Sequence, residues 1–192
     1  MSFAGLLAHP GVEELCELRS AVGLMAFHGG NLERGTDEIA LAAAERAGAS
    51  VYAVVQPDDL RWHIPSVEVQ PVDSPRLAAF VDHVDIAVAL HGYGRDGWWT
   101  RLLLGGRNRS LAAQLAANLR ASLAPHGYDV IDDLEEIPPE LRGVHKRNPV
   151  NLPRGGGVQL ELPPRVRGQS PLSLPEHTEA LIAGLSTALA SF

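Results

Sequence analysis

The chain has 192 residues, 45% hydrophobic and 20% charged, with a formal net charge of −7 and a single cysteine. That composition belongs to a globular fold of one domain and excludes a disordered chain, a coiled coil and a collagen-like fibre. One thiol, Cys16, excludes a disulfide framework and thiolate-rich zinc or iron–sulfur sites, so a metal would have to be held by nitrogen and oxygen.

The first twenty residues or so read as linker-like. Residues 22–27 (VGLMAF) predict a buried strand. Thr36 is placed to cap a helix through about Ala47, with Asp37 and Glu38 in the first turn, where the macrodipole favours anions, and Gly48 after its end. The β-branched run over 51–55 predicts a second strand. Residues 61–72, interrupted by Pro65 and Pro71, read as edge or loop. Ser74-Pro75 opens a short helix to about Val81, with proline at the first helical position.

Residues 85–90 and 100–104 predict two more strands. A helix over about 110–124 follows, on which Leu111, Leu115, Leu119 and Leu123 form one apolar stripe. Residues 128–131 read as a short strand. The polar stretch 137–156, rich in Pro and Gly, is a long loop, and long loops in compact domains tend to be functional. Residues 158–162 predict a strand, 168–174 a linker, and Pro175 starts a last helix burying Leu181, Ile182, Leu185 and Leu189. The alternation predicts a single α/β domain over 1–192: five or so strands in one sheet with helices on both faces. No apolar run approaches the ~18 residues of a membrane span, and the start lacks a basic n-region, so the expectation is a cytoplasmic protein with no membrane partner.

The acidic total argues against a nucleic-acid partner, as does an aromatic content of 5%. Basic charge is concentrated instead. Arg95, Arg101, Arg107 and Arg109 stand against Asp96 alone, and Arg142, Lys146, Arg147, Arg154, Arg165 and Arg167 against Glu161 alone. If the two segments meet, they form a cationic surface suited to an anionic ligand; otherwise they are solvated loop charge.

Three strand ends carry side chains able to bind metal or move protons. His28 and Glu33 lie five apart, about 140° around a helix, so they converge only if the chain turns sharply between them, as Gly29-Gly30 permits. His91 ends a strand before Gly92. Glu161 alternates with apolar neighbours in GVQLEL. Ligands of open α/β sheets collect at the carboxyl ends of strands, which would gather His28, Glu33 and His91 at one edge. Two histidines and a carboxylate are a ligand set of catalytic zinc, with Glu161 as the nearby base. Structural alternatives stand beside this: a turn histidine before glycine, or a paired carboxylate at 161. His-Gly-Gly also resembles the oxyanion loop of lipase-type hydrolases, but no Gly-x-Ser-x-Gly elbow occurs in the chain. His9, His83, His126 and His177 read as surface or capping residues, as do His63 and His145, although these two sit in loops that could belong to the site.

The runs HGGNLERGTDEIA (28–40), DIAVALHG (85–92), LLGG (103–106) and GVQLEL (157–162) come in this order over residues 20 to 167. Together they resemble the poly-γ-glutamate hydrolase family, zinc-dependent, carboxypeptidase-like amidohydrolases of phage and bacteria. The resemblance implies a mixed twisted sheet between helices, one zinc per chain held by His28, Glu33 and His91, and Glu161 as the catalytic glutamate. It implies an anionic glutamyl substrate, for which Arg95, Arg107, Arg109, Arg147 and Arg154 are candidate contacts, since the guanidinium fork binds carboxylates bidentately. Leu152 stands where the family often carries arginine, so Arg154 or Arg147 would replace that cation. Asp85 or Asn108 could orient the histidines. The competing expectations are a zinc amidohydrolase for small N-acyl amino acids, of N-formylglutamate or aspartoacylase type, and a catalytically silent ligand-binding homologue. Trp98-Trp99 beside His91 could be a substrate wall, a dimer contact or a cap. The oligomeric state is left open.

Overall fold

Apolar and β-branched runs form strands at seven places in a computed structural model that describes residues 2–192: β1 (Glu13–Glu17), β2 (Val22–Gly30), β3 (Ser50–Gln56), β4 (Ile86–Gly92), β5 (Arg101–Leu104), β6 (Asp129–Ile131) and β7 (Gly157–Leu162). They make one sheet in the order β1-β3-β2-β4-β7-β5-β6. The central four, β3, β2, β4 and β7, are parallel. β1 runs antiparallel to β3, β5 antiparallel to β7, and β6 parallel to β5, so the sheet is mixed as expected.

Five α-helices complete the described residues: α1 (Phe3–Leu7), α2 (Thr36–Ala47), α3 (Pro75–His83), α4 (Arg109–Leu123) and α5 (Pro175–Leu189). α2, α4 and α5 cover one face of the sheet, packing on Leu24, Ala53, Val88, Leu90 and Leu160. The leucine stripe of α4 is fully buried there, each side chain contributing about 1.5–3 kcal/mol. α1, α3 and the long loops cover the other face, where Phe3, Phe80, Ile64 and Val150 meet Met25, Phe27 and Ala89. Side-chain alternation along β4 and β7 puts Ala87, Ala89 and His91, and likewise Gln159 and Glu161, on this second face.

Three expectations change. Residues 2–20 are not a linker: they supply α1 and edge strand β1, whose sequence EELCE reads as polar although Glu14 turns inward to accept hydrogen bonds from Tyr52 and Ser74. Thr36 is the first helical residue rather than the cap. Gly35 takes the cap position, and the Thr36 hydroxyl donates to the Glu33 carbonyl at 2.8 Å. β2 continues through His28 to Gly30, beyond the apolar run, because its pairing with β3 shifts register between Ala26 and Gly29. The bulge sets Phe27 and His28 against a single residue of β3, so both rings reach the second face, 5.0 Å apart between centroids.

Candidate active site

The parallel strands end at one edge of the sheet, and the chain leaves three of them carrying functional groups. At the end of β2, Gly30 turns the backbone with φ 66° into space against the Gln56 backbone that a Cβ would invade. The Glu33 amide then closes the turn on the His28 carbonyl at 3.0 Å. This returns Glu33 over the strand end, as the spacing of His28 and Glu33 required.

The Glu33 carboxylate lies between two imidazoles. Its Oε1 is 2.9 Å from His28 Nδ1, its Oε2 is 3.4 Å from His91 Nδ1, and the Gly92 amide donates to Oε2 at 2.9 Å. Burial raises the Glu33 carboxyl, but the two histidines outweigh that and hold it well below the usual carboxylate range. Burial works against a charged His91, and Glu33 and Glu161 more than offset it, so its ring is shifted upward. One ligand atom from each of His28, Glu33 and His91 lies within 4.8 Å of the other two.

Hydrogen bonding tests whether this set fits a metal. His28 Nε2 meets the Ile64 carbonyl at 2.8 Å, which requires its proton there. His28 Nδ1, facing a carboxylate, then needs either a second proton or a cation between the two. His91 Nδ1 presents the same demand to the same carboxylate, and the other ring nitrogen, Nε2, is buried without a partner among the described residues. Two imidazoles, one carboxylate and a carbonyl fixing the tautomer suit zinc. The orienting group is the Ile64 carbonyl. Asp85 pairs instead with Arg154, and Asn108 caps α4 by accepting from the Leu111 amide at 2.9 Å.

Glu161 is the register partner of His91 across β4 and β7 and lines the same cavity of about 530 Å3 as the three candidate ligands. Its Oε1 accepts from Gln159 Nε2 at 2.7 Å. Burial raises its carboxyl, Glu33 adds to the rise, and His91 and the Gln159 bond oppose it. His63, 5.0 Å from His28 between ring centroids, and His145 also line the cavity, with loop 137–156 supplying much of the opposite wall.

The five arginines separate. Arg95 pairs with Glu140, a cavity residue, at 2.7 Å, and Arg147 lies exposed between cavity residues His145 and Asn148. Arg154 pairs with Asp85 at 2.8 Å beside Leu152, outside the cavity, where β4 begins. Arg109 spends its guanidinium on the carbonyls of Leu104, Gly105, Gly106 and Asp132. The exposed Arg107 donates its amide to Asn151 and sits past β5, beside the start of β7. The two basic segments meet along β5 and β7, but these five arginines do not gather into one cationic wall. The Arg95 and Arg101 guanidinium groups lie 5.1 and 4.8 Å from the Trp98 ring centroid, and Trp98 packs on the small cluster of Tyr93, Leu103 and Ile137. Sequence reading missed Gln159, buried against Glu161, and Asn148, buried against Gln159; the two-residue alternation of GVQLEL already put Gln159 on the face of Glu161.

A family model described as poly-gamma-glutamate hydrolase matches residues 7–170. The SPbeta prophage-derived UPF0714 protein YoqZ of Bacillus subtilis (strain 168) is 27% identical over 141 residues, 72% of this chain and 47% of that protein. The chain thus spans about half the length of this curated relative. The structure of a bacteriophage poly-gamma-glutamate hydrolase superposes with a TM-score of 0.73 at 20% identity, covering 94% of this chain and 88% of that one. Zinc-free apo YNDL superposes with a TM-score of 0.72 at 24% identity, covering 91% and 89%. These likenesses carry the fold, whose layers are those of the carboxypeptidase-like proteins.

Proposed function

The chain belongs to the poly-γ-glutamate hydrolase family, and from that membership we propose that it is a zinc-dependent hydrolase of amide bonds in γ-linked polyglutamate or a similar anionic glutamyl substrate. The observation that supports this best is the meeting of His28, Glu33 and His91 ligand atoms within 4.8 Å, on the cavity that Glu161 also lines.

Zinc held by His28, Glu33 and His91 would supply Lewis acidity, polarising the scissile carbonyl and making water acidic near neutral pH. Glu161 is the general base. Its Oε1 is engaged by Gln159, while Oε2 has no hydrogen-bond partner among the described residues and the side chain borders the cavity, so the proton leaves water at Oε2 and passes from there to the departing amine. Burial raises the Glu161 carboxyl, the direction that favours a proton acceptor. The Ile64 carbonyl holds the His28 ring, and the Gly92 amide holds Glu33, so the ligands are positioned before substrate arrives. Arg95 and Arg147 at the rim are the cations available to substrate carboxylates.

One observation favours a second substrate class, small N-acyl amino acids: among the described residues no arginine or lysine lines the cavity itself. Amine release from a γ-linked glutamate polymer, compared with release from N-formyl- or N-acetyl-glutamate by the zinc-loaded protein, decides between them. Preference for the polymer supports the proposal, and turnover of the short substrates alone overturns it.

A further inference from the structure

Three buried polar side chains form a directed chain that ends on Glu161. Its direction is set by backbone groups whose roles are not in doubt. The Val150 amide can only donate, and it meets Asn148 Oδ1 at 3.3 Å; the Gly143 carbonyl can only accept, and it meets Asn148 Nδ2 at 3.4 Å. Asn148 is therefore oriented with its amino group toward Gln159, donating from Nδ2 to Gln159 Oε1 at 2.6 Å. That leaves Gln159 one way to lie: its Nε2 donates to Glu161 Oε1 at 2.7 Å. Asn148 and Gln159 are 2% and 5% exposed and border the same cavity as Glu161, and the partners named here satisfy both amides within the protein.

Gly143 makes the arrangement possible. It has φ 60°, and a Cβ there would run into the Gln159 side chain, so only glycine lets loop 137–156 lie on the Gln159 amide. The relay thus joins the loop to β7 through Gln159, and the loop's backbone decides which face of the amide the carboxylate sees.

We propose that Gln159 is a positioning residue, oriented by Asn148, that ties down Glu161 Oε1 so that Oε2 alone meets the reacting water. This rests on the reading of Glu161 as the base. Gln159 touches neither substrate nor metal in this role. Reversing the amide would turn its carbonyl toward the carboxylate, which would then rotate away.

Asn148→Asp tests the orientation without changing shape. Aspartate still accepts from the Val150 amide but, ionised, cannot donate to Gln159 Oε1, so the Gln159 amide is left between two carboxylates and loses its fixed orientation, with only the Leu141 carbonyl at 3.5 Å still holding Nε2. Expected on a cleaved γ-glutamyl oligomer is a kcat loss of about tenfold or more with KM nearly unchanged and zinc content retained, while Tm falls because the new carboxylate is buried; Asn148→Leu, which cannot donate either and adds no charge, should lose kcat likewise. Gln159→Leu should do the same, and the double variant should fall no further than Gln159→Leu alone, since Asn148 acts only through Gln159. Independent losses that multiply would overturn the relay. A second readout needs no turnover: the Gln159 side-chain NH2 proton resonances in the zinc-loaded protein should shift in both Asn148→Asp and Glu161→Ala. Unmoved resonances in both variants overturn the proposal even if the enzyme is active. Shifted resonances in a protein that cleaves no amide would support the relay and count against the hydrolase reading instead.

Discussion

His91 and Glu161 face each other in the parallel register of β4 and β7, and both side chains leave the sheet on the face that carries the cavity. The distance between one candidate zinc ligand and the candidate base is therefore set by main-chain pairing in the middle of the sheet, where the strands are most constrained. Only Glu33 and the cavity's far wall depend on loops.

Removing a ligand should remove the metal. Purified protein is expected to carry about one zinc per chain, and His28→Ala to lose most of it on dialysis, measured by metal analysis. Retention in the variant would take His28 out of the ligand set.

Removing the base should leave the metal. Glu161→Gln is expected to bind zinc as the wild type does and to lose turnover by ~10²-fold or more, the usual scale for general acid–base catalysis. An unimpaired variant would assign the base elsewhere.

The two carboxylates should have opposite effects on the stability of the metal-free protein. Glu161 is raised by burial and by Glu33, so its ionised form destabilises the fold. That cost is present at neutral pH and disappears as pH falls below the unfolded value of about 4.3. Glu161→Gln should raise Tm at neutral pH, by about 2–4 °C for each kcal/mol relieved, with the gain vanishing in acid. Glu33 is buried yet held low by His28 and His91, so its charge stabilises the fold above the unfolded value and the benefit fades as pH drops through the lowered one. Glu33→Gln should lower Tm at neutral pH. Thermal scans across pH check both signs, and equal signs would contradict the assigned environments.

Substrate anchoring should divide the arginines by location. Arg147→Ala is expected to raise KM for a γ-glutamyl oligomer several-fold and to flatten its dependence on salt, because rim charges act through screened attraction. Arg154→Ala should change neither, since Arg154 is 85% exposed and paired with Asp85 away from the cavity. The reverse pattern would move the substrate path to the other end of the sheet.

The central strands, four of the five helices and the convergence of His28, Glu33, His91 and Glu161 were legible in the sequence, because each rests on local pattern: apolar runs, leucines at helical spacing, glycines where the chain must turn. β1 was hidden because three glutamates flank its two apolar residues and one of them, Glu14, points inward to Tyr52. The sorting of the arginines was hidden because charge density along a chain says nothing of which end of a strand a residue occupies; Arg154 precedes β7 whereas Glu161 lies near its end. The orienting partner of His28 is a main-chain carbonyl at Ile64, which leaves no side-chain signature.

Anomalous scattering at the zinc edge from crystals of the zinc-loaded protein measures the site directly. A single peak about 2.0–2.2 Å from one nitrogen each of His28 and His91 and from a Glu33 oxygen, facing Glu161, is the expected result. A peak held by other residues, or none in a well-ordered site at saturating zinc, would contradict it.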